Sequence, residues 1–409
     1  MKQNSKLKII NDPIYGFITI PSPLIFDIIE HPFFQRLRRV SQMGLSYLVY
    51  PGAHHTRFHH ALGCIHLMDK AIKVLRFKGV KISEDEEEAL LIAILLHDIG
   101  HGPFSHALEH SLVGGVNHEE ISLKFMHQLN DEFNGKISLA IEIFTDQYPK
   151  KFLCQLLSSQ LDMDRLDYLR RDSFYTGVAE GNVNSERLIS MLNVRNDEIV
   201  IEEKGIYSVE KFLVARRLMY WQVYLHKTGL CAEQVLIKAI KRAKYLVQQG
   251  EDIFGSQALL FFLKNDIELD NFNKKELETF AKLDDFDVIY AIKMWMNADD
   301  IVLKNLSQML INRQLPKIKL KDKPINNAKY HVELESFMKD HDMTAEEANY
   351  FVFTGEANNL AYTTSDQPIK ILYKNGKLKD VSKASDQFNL KALSKVVTKY
   401  YLCYPKNNY

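Results

Sequence analysis

Residues 90–109, LLIAILLHDIGHGPFSHALE, constrain this chain more than any other stretch. Ser83 followed by Glu86 has the spacing of a capping box, so a helix is expected to start near residue 84. From Leu90 to Leu96 every residue is apolar, the pattern of a helix buried on all sides. The helix then delivers His97 and Asp98 side by side and is broken at once by Gly100, Gly102 and Pro103. An imidazole next to a carboxylate at the end of a buried helix costs several kcal/mol unless both groups are compensated. A divalent cation compensates both, taking imidazole nitrogen and carboxylate oxygen together. A metal site is the expectation.

Histidine distribution sharpens it. Eleven of the 15 histidines (54, 55, 59, 60, 66, 97, 101, 106, 110, 118, 127) fall within residues 54–127, against about three for an even scatter. Some must make ordinary structural hydrogen bonds, but the cluster marks where chemistry is expected. The four cysteines, Cys64, Cys154, Cys231 and Cys403, are far apart and form no C-x-x-C, which suits reduced thiols and a cytoplasmic location. A net charge of zero gives no overall basic surface for nucleic acid, although it leaves a local basic funnel open. No apolar run approaches the length of a membrane span, and the first twelve residues contain no apolar signal core. Walker A, GxGxxG and GxSxG sequences are absent, which removes the common NTPase, dehydrogenase and serine-hydrolase readings.

Along the chain, residues 7–20 contain two β-prone runs around Asn-Asp-Pro and a glycine, a small hairpin or ordered arm. Residues 22–40 read as helical with a break at Pro32, ending in a basic string whose Arg36, Arg38 and Arg39 suit either a solvated face or a phosphate. A Pro-Gly turn at residues 51–52 leads into an amphipathic helix with His60 in its first turn and Arg57 close by. His106 and Glu109 share a face if their segment is helical, and a carboxylate orienting an imidazole suits general acid/base work. In residues 158–178, Asp164, Tyr168 and Asp172 stack at i, i+4, i+8 with Arg165 adjoining. That density of charge fits a surface helix laced with ion pairs, or a helix giving one aspartate to the metal and the rest to a polyanionic, sugar-bearing substrate. A hairpin is expected over 196–208, turning at Lys204-Gly205, and a long helix from Val209 to about Gln249 carrying Arg216, Tyr220, Tyr224 and Lys227 in one stripe. Such a stripe serves packing equally well, or supplies cations for phosphates and a tyrosine for a sugar. Helices continue to about residue 315; β-prone segments follow, with an Asn375-Gly376 hairpin and a closing helix over LKALSKVVTKYY. The expected division is 1–50 as arm and first helix, 51–250 as core, 251–315 as helical extension and 316–409 as a smaller α+β lobe.

His60, His97-Asp98 and Asp164 reproduce the H…HD…D pattern of HD-domain phosphohydrolases. The blocks INDPIYG, FQRLRRVSQMG, YPGAHHTRFHHALG, LLHDIGHGPFSH, LDMDRLDYLRRD and YLHKTG occur in the order seen in deoxynucleoside triphosphate (dNTP) triphosphohydrolases. These include dGTPases, the sterile-alpha-motif-and-HD-domain dNTPase and its bacterial relatives, and the likeness covers roughly residues 7–240. It implies a mainly α fold, with an HD-domain helical core, an N-terminal β-hairpin and a C-terminal α+β lobe. It implies one divalent metal per subunit (Mn, Fe, Co, Ni, Zn or Mg) held by His60, His97, Asp98 and Asp164. His106 and Glu109 match the family's catalytic dyad, with glutamate where some members have aspartate. His101 and His118 match histidines lining the α-phosphate, and Arg57, Arg165 and Arg216 match phosphate contacts, Arg165 standing where some relatives have lysine. Tyr168, Asp172 and Tyr224 match residues that hold the deoxyribose, and Gln42 a further sugar contact.

The implied reaction cleaves a dNTP to deoxynucleoside and triphosphate. The implied assembly is a nucleotide-activated homo-oligomer, dimer or tetramer, with no membrane association. Lys8, Ile9, Asn11, Gln35, Arg38 and Lys227 match effector-pocket positions. Glu30 stands in place of the guanine-reading aspartate, and Glu202 in place of a basic effector contact. Two other classes stay open: an HD phosphohydrolase acting on monophosphates, cyclic nucleotides or alarmones, and a non-catalytic nucleotide sensor.

Overall fold

The computed structural model describes residues 8–108, 111, 113–363, 367–386 and 395–406. Its centre is the helix Glu84–Leu96, whose residues from Ala89 to Leu96 are all buried. It packs against the helix Arg57–Phe77 on one side and the helix Ser138–Phe144 on another. Arg57–Phe77 also packs along Met163–Thr176, so three helices meet where His60, His97 and Asp164 emerge. The mainly helical architecture matches the sequence expectation. Strands β1 (Ile9–Asp12) and β2 (Gly16–Thr19) form the N-terminal antiparallel hairpin. The helix Pro23–Glu30 stops at His31, and Pro32 opens a new turn, as the proline requires.

Two connections differ from expectation. The hairpin of β3 (Leu192–Arg195) and β4 (Glu198–Glu202) turns at Asn196-Asp197, both at positive φ (54° and 59°), not at Lys204-Gly205. Asn and Asp tolerate that backbone region, and two such residues give the turn whose twist suits a hairpin. Gly205 serves packing instead: a Cβ there would lie 2.5 Å from Ile201 Cγ2. The long helix also breaks. Ile206–Met219 runs into a wide turn, Tyr220–Tyr224, in which Leu225 N–H reaches back five residues to Tyr220 O at 2.7 Å. A second helix, Lys227–Gln248, then starts with the His226 ring accepting from Thr228 N–H at 3.2 Å.

At the C-terminal end, β5 (Lys317–Lys321), β6 (Phe353–Asn359) and β9 (Val397–Tyr404) form a sheet with β9 in the middle. The expected closing helix is therefore a strand over its described part, while residues 387–394 lie outside the described residues. The run VTKYYLCY is rich in β-branched and aromatic side chains, and pairing on both edges overrides any helical reading. The Asn375-Gly376 hairpin is present as β7 (Lys370–Leu372) and β8 (Leu378–Asp380). Strand β7 pairs in parallel with β4, so one sheet joins the C-terminal segment to the hairpin that follows the central helices.

The start of the central helix is held by charge as well as by its cap. Glu86 accepts from Ser83 N–H at 2.8 Å and from Tyr148 OH and Lys150 Nζ, each at 2.7 Å. Burial works against its ionisation, yet Lys150, the Ser83 amide and Tyr148 lower its pKa from 4.5 to about 2. A depressed carboxyl contributes stability that is present above the unfolded-state value and lost as pH falls towards the folded one. Glu86→Gln is expected to lower the urea midpoint at neutral pH. The gap from wild type should close as pH drops from about 5 to about 2, as checked by denaturation curves at stepped pH.

Candidate metal centre and substrate cavity

His60 is fully buried one turn into its helix. Its Nδ1 lies 2.8 Å from Asp167 Oδ2, which assigns the proton to Nδ1 and leaves the Nε2 lone pair free. Nε2 faces Asp164 Oδ1 at 3.0 Å and Asp98 Oδ2 at 3.6 Å. His97 closes the C-terminal end of the Glu84–Leu96 helix, its Nδ1 bonded to Ile94 O at 2.6 Å. Its Nε2 is buried without a hydrogen-bond partner among the described residues and lies 3.5 Å from Asp98 Oδ1 and 3.7 Å from Asp164 Oδ1. His60, His97 and Asp164 gather with their ligand atoms within 4.8 Å of one another, and Asp98 adjoins them, turning Oδ2 toward His60 and Oδ1 toward His97 while it clusters with His101 and His118. Separations of 3.0–3.7 Å suit a cation at about 2.1 Å from each ligand atom. The orphaned His97 nitrogen is the feature a cation explains best. The cluster can therefore hold a divalent metal.

Neighbouring groups set its charge. Burial opposes ionisation of Asp98, but Arg57, bonded through Nη1, together with His97 and His101 holds it well below the usual carboxylate range. Burial and the Arg57 cation push His101 well below its ordinary value, so it is neutral. Its ring stacks on His118 with centroids 3.9 Å apart. Burial likewise opposes Asp167, yet Arg171 and His60 lower its pKa to about 2. The Cys64 thiol, 3.5 Å from both His60 ring nitrogens, is pushed up by burial.

A cavity of about 410 Å³ opens beside the cluster. Gln42, Arg57, Asp98, His101, His118, Asp164, Arg165, Tyr168, Asp172 and Tyr224 all line it. Arg216 does not; with Arg165 it lines an adjoining cavity of about 220 Å³ against the C-terminal segment. Tyr224 OH donates to Asp172 Oδ2 at 2.7 Å, and His55 Nε2 lies 2.6 Å from Asp172 Oδ1. The wide turn at Tyr220–Tyr224 delivers the tyrosine to this position, a place where such helix irregularities often occur. The His106 side chain and all of Glu109 lie outside the described residues.

Of the expected effector residues, Lys8 and Ile9 sit at the start of the hairpin, with Lys8 Nζ 4.3 Å from the Phe26 ring centroid, and Asn11 lies in β1. Gln35 Oε1 accepts from Arg38 Nε at 2.8 Å. Glu30 ends the first helix, Glu202 ends β4 with Lys78 Nζ at 2.8 Å, and Lys227 begins its helix.

Sequence reasoning did not single out Asp12, His55, Asp167, Arg171 or Glu233. Glu233 lines the cavity, and burial raises its carboxyl pKa to about 7. The i, i+4 spacing of Asp167 and Arg171, about a quarter-turn round the helix from Tyr168, was the available signal for that pair. Several histidines of the cluster are structural: His59 caps its own helix through Thr56, and His66 packs on Tyr15.

A mainly helical frame that gathers His, His-Asp and Asp from three helices beside a cavity is the arrangement of an HD domain. The sequence matches the HD domain over residues 57–172 and the HD associated region over residues 183–253. It is 54% identical to a crystallised phosphohydrolase from Bacteroides thetaiotaomicron, covering 98% of this chain and 100% of that one with a TM-score of 0.95. It is 33% identical to the Bacillus subtilis protein YwfO over 93% of this chain and 88% of that protein. It is 32% identical to the Dictyostelium discoideum homologue of the deoxynucleoside triphosphate triphosphohydrolase SAMHD1, over 60% of this chain and 51% of that protein. The chain belongs to the HD-domain phosphohydrolases. It is accordingly a hydrolase, and among the described residues no helix is long and apolar enough to cross a membrane.

Proposed function

We propose that the protein is a metal-dependent dNTP triphosphohydrolase that releases a deoxynucleoside and intact triphosphate. The observation that carries the reading is the Asp172 carboxylate, held from two sides by His55 and Tyr224 in the cavity wall that also contains Asp164 and Asp98. A carboxylate with both oxygens oriented is a fixed acceptor for a sugar hydroxyl, and the Tyr168 and Tyr224 rings, 6.0 Å apart and nearly perpendicular, give the sugar a close-fitting wall. A 2′-hydroxyl is rejected there by lack of space.

His60, His97, Asp98 and Asp164 would hold the cation, which would supply Lewis-acid polarisation of a phosphoryl oxygen and a lower pKa for water. Arg57, Arg165 and Arg216 neutralise the polyphosphate, which otherwise repels a nucleophile. His101 and His118 hydrogen-bond the α-phosphate, and His106 with Glu109 moves a proton to the leaving 5′-oxygen. The two imidazoles favour Mn, Fe, Co, Ni or Zn over Mg. The enzyme works as a homo-oligomer in the cytoplasm, and Lys8, Ile9, Asn11, Glu30, Gln35, Arg38 and Lys227 form its effector pocket. The name of the Dictyostelium relative supports the substrate class.

Chromatographic product analysis with each dNTP and NTP, with Mn or Mg and with or without a second nucleotide, tests the reading. Deoxynucleoside plus triphosphate supports it, whereas phosphate release from monophosphates with dNTPs untouched refutes it. Asp164→Ala is expected to lose bound metal and turnover together, as measured by elemental analysis and rate on the same preparation. Tyr224→Ala should raise the NTP-to-dNTP rate ratio by roughly tenfold or more, because the steric exclusion at the sugar is removed.

A further inference from the structure

Arg171 is fully buried and ties two carboxylates together. Its Nε and Nη2 donate to Asp167 Oδ2 and Oδ1 at 2.8 and 3.0 Å, and its Nη1 donates to Asp12 Oδ2 at 2.8 Å. Asp167 Oδ2 is also the acceptor for His60 Nδ1–H. The other oxygen of Asp12 accepts from the Ile14 and Tyr15 amides at 2.8 and 3.0 Å, closing the turn between β1 and β2. An unbroken hydrogen-bonded line therefore runs from the N-terminal hairpin to His60. Room for it is made by Gly63, where a Cβ would lie 1.9 Å from Asp167 Oδ1 and 2.3 Å from Arg171 Nη2.

Stability does not account for this arrangement, because a buried ion pair often does no better than an apolar replacement of the same shape. Its end point does. An imidazole whose Nδ1–H is held by a carboxylate has a fixed tautomer, a fixed ring plane and a more basic Nε2. Asp167 alone, on one rotatable side chain, leaves that plane loose; the two parallel bonds from Arg171 remove the freedom, and Asp12 anchors Arg171 in turn. We infer that Asp12 and Arg171 are positioning residues for the His60 Nε2 donor, so that the N-terminal hairpin is a working part of the cation site. The inference rests on His60 being a metal ligand and is independent of which nucleotide is cleaved.

The test is Mn2+ titration of the full chain without nucleotide, with free Mn2+ read by electron paramagnetic resonance and folding by circular dichroism. Asp12→Asn keeps, through its amide oxygen, the acceptor that closes the turn and puts an NH2 group in place of the charged acceptor facing Arg171. Asp167→Asn and Arg171→Lys are expected to weaken Mn2+ binding by roughly tenfold or more, and Asp12→Asn by several-fold. Asp12→Asn should add nothing in an Asp167→Asn background, since both act through the same ring. Asp300→Asn, which breaks the separate Arg242–Asp300 pair, should leave binding unchanged. If Arg171→Lys fails to fold, the two asparagine variants decide. Folded Asp12→Asn protein binding Mn2+ within about twofold of wild type overturns the inference, as does an additive effect in the double variant. Wild-type protein that binds no Mn2+ overturns instead the assignment of His60 as a ligand.

Discussion

Everything in this molecule depends on keeping acidic and basic side chains in its interior. Asp98, Asp167, Asp172, Arg57 and Arg171 are all buried, in a frame whose central helix is wholly apolar in its last two turns. Each has a partner of opposite sign or a directed hydrogen bond, because an unpaired charge there costs more than the fold can supply. The helical frame meets this demand by converging. Three helices aim their polar ends at one another, and the residual lone pairs of His60 and His97 mark where a cation completes the balance.

That organisation explains which parts were legible in the sequence. The capping box at Ser83, the apolar run after it and the abrupt His-Asp-glycine ending are local signals, and the structure follows them closely. His97 and Asp98 stand out as a candidate metal pair because metal chemistry admits few residue types, and the family resemblance adds His60 and Asp164 to them. Burial partners were less so. Asp167 and Arg171 look like one more surface ion pair until the fold places both against Gly63, and Asp12, 159 residues from Arg171, has no sequence signal connecting it at all.

Backbone irregularities were misread for related reasons. Gly205 has the residue type of a turn but serves a close approach to Ile201, while Asn196 and Asp197 supply the turn itself. The expected closing helix over LKALSKVVTKYY is a strand over its described part, where pairing with β5 and β6, contacts remote in sequence, decides. Family resemblance supplied what periodicity could not, namely that Tyr224 and Asp172 belong to one wall, and their 2.7 Å hydrogen bond agrees.

The wide turn at Tyr220–Tyr224 has a consequence for how such a protein can vary. Its extra residue per turn offsets the end of the segment, Tyr224 included, by about 100° relative to a regular α-helix. Removing a single residue would restore regular winding and swing Tyr224 off Asp172, whereas many exchanges of one side chain for another leave the winding alone. The segment is therefore free in composition but constrained in length, since an insertion or deletion there moves Tyr224 relative to Asp172 and with it the cavity wall.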